Sequence, residues 1–302
     1  LAGDLTIISG NDTNIRGSNI AVGGALIADS TGDLTIESVE DSTYNYYANY
    51  KRGSFGRRSK SISESTKITN VASNIEAAGG INANSAGDIN IKASKLKSLV
   101  GDINITAANA LNIISASDSL ESQTISSRSG FNNSVNITND SNVITQIASN
   151  IESTTGNISL EAGSDFNLLA SNLQAARDIS IDGSANVLIS NGKNINSHSS
   201  AINKRGTKKI SKANSIDYVE TAISSNIVGN NININSADHV YIQGSNLTSS
   251  YNNLANEGGN INIDAGEDVI ITNDTLHEYH HASKEVSNRG TFKAAYAITS
   301  AY

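Results

Sequence analysis

Self-similarity at a fixed period is the feature that most constrains this chain. The triplet Ser-Asn-Ile occurs at 73–75, 149–151 and 225–227, so 76 residues separate successive copies. A sequence that repeats in this way is typical of a stacked array, in which each unit contacts only its neighbours. We therefore predict one continuous repeat segment over 1–302. The predicted repeat units are approximately 1–75, 76–151, 152–227 and 228–302.

A shorter phrase inside each unit predicts β-strands. Gly-Asp or Gly-Asn precedes an aliphatic–polar–aliphatic run, as in Gly3-Asp4-Leu5-Thr6-Ile7 and Gly101-Asp102-Ile103-Asn104-Ile105. A turn followed by alternation of period two indicates a short strand with one buried face. Successive strands start 8 and then 7 residues apart, as at Ile158, Phe166 and Leu173, and the phrase returns after 21 residues at Ile179. Three strands therefore make one coil.

Such coils predict an all-β fold, a right-handed parallel β-helix. A strand this short pairs only with a copy of itself about 4.8 Å above or below, and parallel crossovers favour the right hand. No apolar stripe of helical period is present. The eight predicted coils begin at Leu5, Leu26, Ile81, Ile103, Ile158, Ile179, Ile232 and Ile261. Identical residues should then stack in ladders, with aliphatic side chains inside and Asn and Ser at the corners. We expect left-handed backbone at the corner asparagines, which are Asn19, Asn74, Asn150, Asn172, Asn226 and Asn246.

Every second coil carries an insertion between its second and third strands. We place these excursions near 38–71, 115–147, 191–223 and 273–302. Alternating polar and apolar residues flank a central basic Gly turn in each, which predicts extra-helical β-hairpins that leave the rod on one side. The alternative is that the Ser-rich stretches are disordered loops. The fourth excursion reaches Tyr302 before its return strand, so we expect the parent protein to continue.

Charge and composition exclude several classes of protein. The formal net charge is −8, which argues against a nucleic-acid partner because such proteins carry a basic surface. The chain has no Cys, Pro, Met or Trp, so disulfides, thiol nucleophiles and thiolate metal sites are excluded. No apolar run approaches the roughly 20 residues that a transmembrane helix needs.

The excursion tips are the candidate binding residues, because they are the dense basic patches of an acidic chain. The first cluster is Lys51, Arg52, Arg57, Arg58 and Lys60, and the second is Lys204, Arg205, Lys208, Lys209 and Lys212. They could attract the phosphates of lipopolysaccharide or the anionic groups of glycans. Alternatively, the charges only prevent aggregation of exposed strand edges.

Two aromatic and imidazole clusters are weaker candidates. Tyr44, Tyr46, Tyr47 and Tyr50 either form a platform for sugars or stiffen a hairpin by cross-strand pairing. His277 and His281 would share one face of a strand and could hold a metal. Because no third ligand is fixed by spacing, we predict no metal site and no cofactor.

An enzyme is the alternative class of function, since parallel β-helices include polysaccharide-degrading enzymes that use converging carboxylates. The aspartates here instead occupy one recurring turn position, so we interpret them as turn residues and predict no catalytic residues. They are Asp4, Asp33, Asp88, Asp102, Asp165, Asp178, Asp238 and Asp268.

Paired coils of Gly-Asp-Ile-Asn-Ile type, separated by a Ser-rich stretch with a Lys/Arg-Gly centre, resemble the hemagglutinin repeats of filamentous hemagglutinin-like exoproteins. These proteins include the large effectors of contact-dependent growth inhibition. The resemblance implies a secreted or cell-surface fibre of a Gram-negative bacterium. It implies export by a two-partner system through an outer-membrane transporter, and a shaft that presents or delivers distal modules to a target cell. The implied partner there is a glycan, a lipopolysaccharide or an outer-membrane protein.

Overall fold

The computed structural model describes residues 3–249, 259–288 and 299–301, and these contain 31 β-strands in four sheets. Three sheets are parallel and form the faces of a β-helix, and the fourth is antiparallel and is built from the excursions. No helix long and apolar enough to cross a membrane is present in these ranges. The predicted all-β solenoid, with hairpins inserted in every second coil, is confirmed.

The first sheet contains the opening strand of each of the eight coils. In sheet order its strands are β1 (Leu5–Ser9), β4 (Leu26–Ser30), β9 (Ile81–Ser85), β12 (Ile103–Ala107), β17 (Ile158–Ala162), β20 (Ile179–Gly183), β25 (Ile232–Ser236) and β28 (Ile261–Ala265). Each begins at the Leu or Ile predicted to start a coil, directly after a turn that ends in Asp, Asn, Ala or Gly.

The second sheet also has eight strands, and the third has seven in the described part of the chain. The second consists of β2 (Thr13–Arg16), β5 (Leu34–Glu37), β10 (Ile89–Lys92), β13 (Leu111–Ile114), β18 (Phe166–Leu169), β21 (Val187–Ser190), β26 (Val240–Gln243) and β29 (Val269–Thr272). The third consists of β3 (Asn19–Val22), β8 (Asn74–Ala77), β11 (Lys95–Ser98), β16 (Asn150–Ser153), β19 (Asn172–Ala175), β24 (Asn226–Gly229) and β27 (Asn246–Ser249).

Stacking of like residues builds the core. Ile103 lies opposite Ile81 on one side and Ile158 on the other, and all three are buried. Phe166, the largest buried side chain, lies in register between Leu111 and Val187. Burial of each such side chain contributes roughly 1.5–3 kcal/mol. The apolar side chains therefore fill the inside of the rod and form one continuous cluster along it.

Asparagine and serine ladders follow the corner that leads into the third sheet. The Asn172 amide donates to Oδ1 of Asn150 at 2.8 Å, and the Asn226 amide donates to Oδ1 of Asn172 at 2.8 Å. The prediction of polar ladders at the corners is confirmed. The prediction of left-handed backbone at these asparagines is wrong, because each is the first, extended residue of its strand.

The left-handed residues of this corner lie two positions earlier in the chain. They are Gly17, Ala93, Ala170 and Gly244, with φ of 52°, 45°, 44° and 52°. Each precedes the serine that comes just before a third-sheet strand. In the intervening coils the hairpin replaces this tight corner, which explains why the left-handed position recurs only once per unit.

The excursions form the fourth sheet, here called the hairpin sheet. From one edge to the other its strands are β6 (Val39–Arg52), β7 (Arg58–Val71), β14 (Ala116–Gly130), β15 (Asn133–Ile147), β22 (Gly192–Arg205), β23 (Lys209–Ile223), β30 (Glu278–Asn288) and β31 (Thr299–Ala301). The first three excursions are thus paired hairpins rather than disordered Ser-rich loops, and the described part of the fourth pairs with the third. The turn expected around Arg289 lies outside the described residues. The division into four repeat units stays a prediction.

Candidate interaction surface: the hairpin sheet

The hairpin sheet is a single layer with solvent on both faces. No residue of 39–71, 117–147, 193–223 or 278–288 is buried. Strands of 14 or 15 residues extend roughly 45 Å from the rod at about 3.3 Å per residue. Without a core of its own, the layer is held by its backbone ladders and by cross-strand pairs such as Ile62 with Ile125.

Neighbouring hairpins pair with each other, which sequence reasoning did not anticipate. The second strand of one hairpin pairs with the first strand of the next, as β7 with β14, β15 with β22, and β23 with β30. The sequence could have predicted this pairing, because the excursions have nearly equal lengths and recur at a constant period. Stacked coils bring such hairpins side by side. The separate tips therefore belong to one continuous outer edge.

Charge is segregated along the hairpins. A row of paired residues crosses the sheet from Ala48 on β6 to Ser283 on β30. We call the part between this row and the rod the base, and the part beyond it the rim. The rim carries the basic residues Lys51, Arg52, Arg57, Arg58, Lys60, Arg128, Lys204, Arg205, Lys208, Lys209, Lys212 and Lys284, with Glu285 as its acid in the described ranges. The base carries the acids Glu40, Asp41, Glu64, Asp118, Glu121, Asp140, Asp217, Glu220 and Glu278, with Lys67 and Lys193. A chain of net charge −8 therefore presents a positive edge farthest from its axis.

The first predicted cluster forms one side of an open groove between the first two tips. Lys51 and Arg52 end β6, Arg57 lies in the turn, and Arg58 and Lys60 begin β7. The groove has a volume of about 860 Å³ and also includes residues of the second tip. Arg52 lies directly opposite Arg58, an arrangement of like charges that favours an anion between or above them.

Three residues of this groove were not among the predicted binding residues. Arg128 comes from the second hairpin, and Phe55 and Phe131 lie in the two turns. The phenyl side chains are 93% and 87% exposed. Phe55 also has a φ of 59°, a conformation that is unusual for a bulky residue. The sequence could have indicated both phenylalanines, since the chain has only four Phe and two of them lie beside the tip glycines.

The second predicted cluster lies on the same rim but outside this groove. Lys204 and Arg205 end β22, Lys208 lies in the turn, and Lys209 and Lys212 belong to β23. The structure therefore brings the two clusters onto one edge without merging them into one site.

The tyrosine cluster is divided between the two faces. Tyr44, Tyr46 and Tyr50 share one face by alternation, and Tyr47 lies on the other. Nζ of Lys60 lies 5.7 Å from the centre of the Tyr50 ring, within cation–π range. The Tyr44 hydroxyl donates to Glu64 at 3.3 Å, and partial desolvation together with that carboxylate raises the pKa of Tyr44. These contacts support cross-strand stiffening.

The two histidines that spacing suggested as a pair have different surroundings. His277 precedes β30, and its backbone N–H donates to Oε2 of Glu220 at 3.1 Å. The ring of His281 stacks on Tyr279 with centroids 6.2 Å apart. Within the described part of the chain, no group of three His, Asp or Glu is arranged to hold a metal ion.

An ionic network at the base joins the third hairpin to the segment after β29. Nζ of Lys193 lies 3.1 Å from Glu220 and 3.4 Å from Asp274. Hydrogen bonds from Tyr218 and Lys193 lower the pKa of Glu220, and the Asn191 amide does the same for Asp274. The hydrogen bond to Glu220 raises the pKa of Lys193. This network links the base of the hairpin sheet to the segment that follows β29.

Most of the turn aspartates of the rod act as structural acceptors. Oδ1 of Asp33 accepts the backbone N–H of Asp88 at 2.8 Å, and Oδ1 of Asp102 accepts that of Asn157 at 2.7 Å. Equivalent bonds link Asp4 to Ala25 and Asp165 to Asn186. Each carboxylate thus closes a turn of the adjacent coil.

Comparison with known proteins agrees with this architecture. The family model described as hemagglutinin repeat matches residues 1–53, 53–190 and 205–297. The tRNA nuclease CdiA-2 of Burkholderia pseudomallei (strain 1026b) is 29% identical over 194 residues, which are 58% of this chain and 6% of that protein. The chain therefore matches only a small part of that relative. No solved structure matches.

Proposed function

Because the chain belongs to the hemagglutinin repeat family, we propose that it is a non-enzymatic shaft segment of a secreted, cell-surface exoprotein. The shaft holds distal modules away from the producing cell and presents or delivers them to a target cell. Export through an outer-membrane transporter of a two-partner system is part of this proposal. The nuclease activity in the name of CdiA-2 is a property of that whole protein.

Continuous pairing along the rod is the observation that carries the proposal. Two parallel sheets run through all eight coils without interruption, and the hairpin sheet adds a second continuous element alongside them. A force that pulls on one end is therefore borne by the backbone hydrogen bonds between strands along the whole segment. Turn aspartates such as Asp33 and Asp102 repeat along the rod and accept hydrogen bonds from the next coil, whereas an enzyme of this fold would need carboxylates that converge at one place.

Contact with the target cell is assigned to the basic rim. Lys51, Arg52, Arg57, Arg58 and Lys60, together with Lys204, Arg205, Lys208 and Lys209, lie on the outermost edge. Positive charge placed there attracts an anionic envelope more strongly than charge near the acidic rod would. Protection of strand edges remains a second role for the same residues.

Two variants of the parent exoprotein test the proposal. Deletion of 76–151 removes two coils and one hairpin and joins equivalent positions of β8 and β16. We expect surface display to persist, with a fibre shorter by roughly 10 Å in electron microscopy. Replacement of Lys51, Arg52, Arg57 and Arg58 by Ser should preserve display and weaken attachment.

Each outcome decides a separate part of the proposal. Loss of display in the deletion variant would contradict an interchangeable shaft unit. Undiminished attachment of the serine variant would contradict rim contact. Hydrolysis of a purified polysaccharide by the isolated chain would contradict a purely mechanical role.

A further inference from the structure

The two exposed phenylalanines are placed where neither packing nor folding requires them. Phe166 shows the ordinary position for this residue, fully buried in the rod. Phe55 and Phe131 instead lie in the turns of adjacent hairpins, 93% and 87% exposed. The left-handed backbone at Phe55 adds strain that a glycine or asparagine would avoid. Strained, exposed apolar residues at the outermost points of a structure indicate a binding role.

Cations surround these rings on the same groove. Lys51, Arg52, Arg57 and Arg58 come from the first hairpin and Arg128 from the second, and no acidic side chain lines the groove. Arg52 and Arg58 face each other across the β6–β7 ladder. The third tip, which contains Gly206, Thr207 and Lys208 between its strands, has the basic charge but no aromatic residue. Among the three tips that the structure describes, the first two therefore combine apolar and basic groups, and the third carries only the charge.

We propose that this groove docks on an anionic lipid surface. The guanidinium and ammonium groups contact lipid phosphates, while the Phe55 and Phe131 rings enter the boundary between headgroups and acyl chains. A soluble sulfated glycan would also suit the charges, but Phe55 and Phe131 have no polar group to bond sugar hydroxyls, which favours the apolar boundary of a lipid surface. The proposal rests on the rim-contact function proposed above and names its partner.

Tryptophan reporters test insertion directly, because the chain contains no Trp. Phe55→Trp and Phe131→Trp place the fluorophore in the groove. Val100→Trp is the matched control, since Val100 is 65% exposed at a turn of the rod. Each full-chain variant is mixed with phosphatidylcholine vesicles, with vesicles that contain about one third phosphatidylglycerol, and with anionic vesicles that carry brominated acyl chains.

We expect a blue shift and bromine quenching for both groove reporters with anionic vesicles, no change for Val100→Trp, and no binding to neutral vesicles. Binding of anionic vesicles without quenching would overturn ring insertion. Equal quenching of Val100→Trp would show nonspecific adsorption and would also overturn the proposal. Absence of vesicle binding by a chain that still attaches to cells would refute the lipid partner while leaving rim contact intact.

A second pair of variants separates the rings from the charge. Phe55→Ser combined with Phe131→Ser should weaken binding to anionic vesicles at least about tenfold, with an unchanged melting temperature. Lys208→Ser combined with Lys209→Ser removes charge from the third tip and should weaken binding less. An undiminished affinity of the Phe double variant, or an equal loss of affinity for dextran sulfate, would show that a polyanion rather than a lipid surface is the ligand.

Discussion

The backbone N–H of Ser73 donates to the hydroxyl of Ser94, with 3.3 Å between N and Oγ, although 21 residues separate them in the chain. The same bond recurs from coil to coil at 3.2–3.3 Å. The ladder consists of Ser18, Ser73, Ser94, Ser149, Ser171 and Ser225. The ladder satisfies backbone N–H groups at the corner where the hairpins return to the rod.

Removal of one hydroxyl from this ladder should destabilise the rod. In Ser149→Ala, Ser94 N–H loses its acceptor, and the carbonyls of Ile91 and Ile114 lose a donor at a position that is fully buried. We expect a loss of about 1–3 kcal/mol in the free energy of unfolding, measured with urea. Ser129→Ala, at an exposed position of the rim, should change it by less than about 0.5 kcal/mol. Equal effects of the two variants would show that the ladder contributes nothing.

Truncation of Phe166 should be far more costly than truncation of a tip phenylalanine. Phe166→Ala leaves a cavity between Leu111 and Val187, and we expect a loss of about 3–5 kcal/mol. Phe55→Ala removes a ring that is 93% exposed and should stay within about 0.5 kcal/mol of the parent chain. Urea unfolding of both variants measures the difference, and a large loss for Phe55→Ala would reveal a packing role at the tip.

Most of the rod could be predicted from the sequence, because the residue pattern that specifies its strands is local and is repeated in every coil. The aliphatic residues at Leu5, Leu26 and Ile81 start their strands as expected, since one alternating phrase fixes both strand and register. The left-handed corner residue that precedes the third sheet was harder to predict. Ala93 and Ala170 adopt it, although alanine gives no compositional signal for such a backbone.

The hairpin sheet was harder to predict because its defining contacts join different repeats. Alternation predicted each hairpin separately, but the pairing of Ile62 with Ile125 depends on how neighbouring coils align their insertions. For the same reason, the basic clusters were identified as separate tips. The groove that combines Arg57 with Phe131 exists only after the hairpins are placed side by side.

A Cβ atom at the left-handed corner next to the first hairpin should not be tolerated. Gly17 has a φ of 52°, and a Cβ there would lie 2.6 Å from Cγ2 of Val39, the first residue of β6. Gly17→Ala should therefore lower the free energy of unfolding by more than about 1 kcal/mol. Gly10→Ala is the matched control, because nothing lies within 4 Å of its added Cβ. Thermal unfolding of the two variants decides the point, and an unchanged Gly17→Ala would show that β6 shifts without cost.

His280 should make the stability of the hairpin sheet depend on pH. Its Nδ1 lies 2.9 Å from Oδ1 of Asp217, and its Nε2 lies 2.8 Å from Oε1 of Glu278. His198 lies opposite Asp217 on the next strand. Two carboxylates facing both ring nitrogens favour the imidazolium, so the hydrogen bonds to Asp217 and then to Glu278 raise the pKa of His280 above 6.5.

A raised folded-state pKa means that this stabilisation is fully present below the unfolded pKa of about 6.5 and is lost as pH rises through the folded value. Asp217→Asn should lower the His280 pKa, which NMR titration of the ring measures. The stability gap between the parent chain and this variant should be largest near pH 6 and should shrink by pH 9. Asp41→Asn is the control, since it changes the net charge equally but lies on β6, at the far edge of the hairpin sheet. It should leave the His280 pKa unchanged. An unaltered His280 titration in Asp217→Asn would mean that the pairing does not persist in solution, and the pH dependence would then need another source.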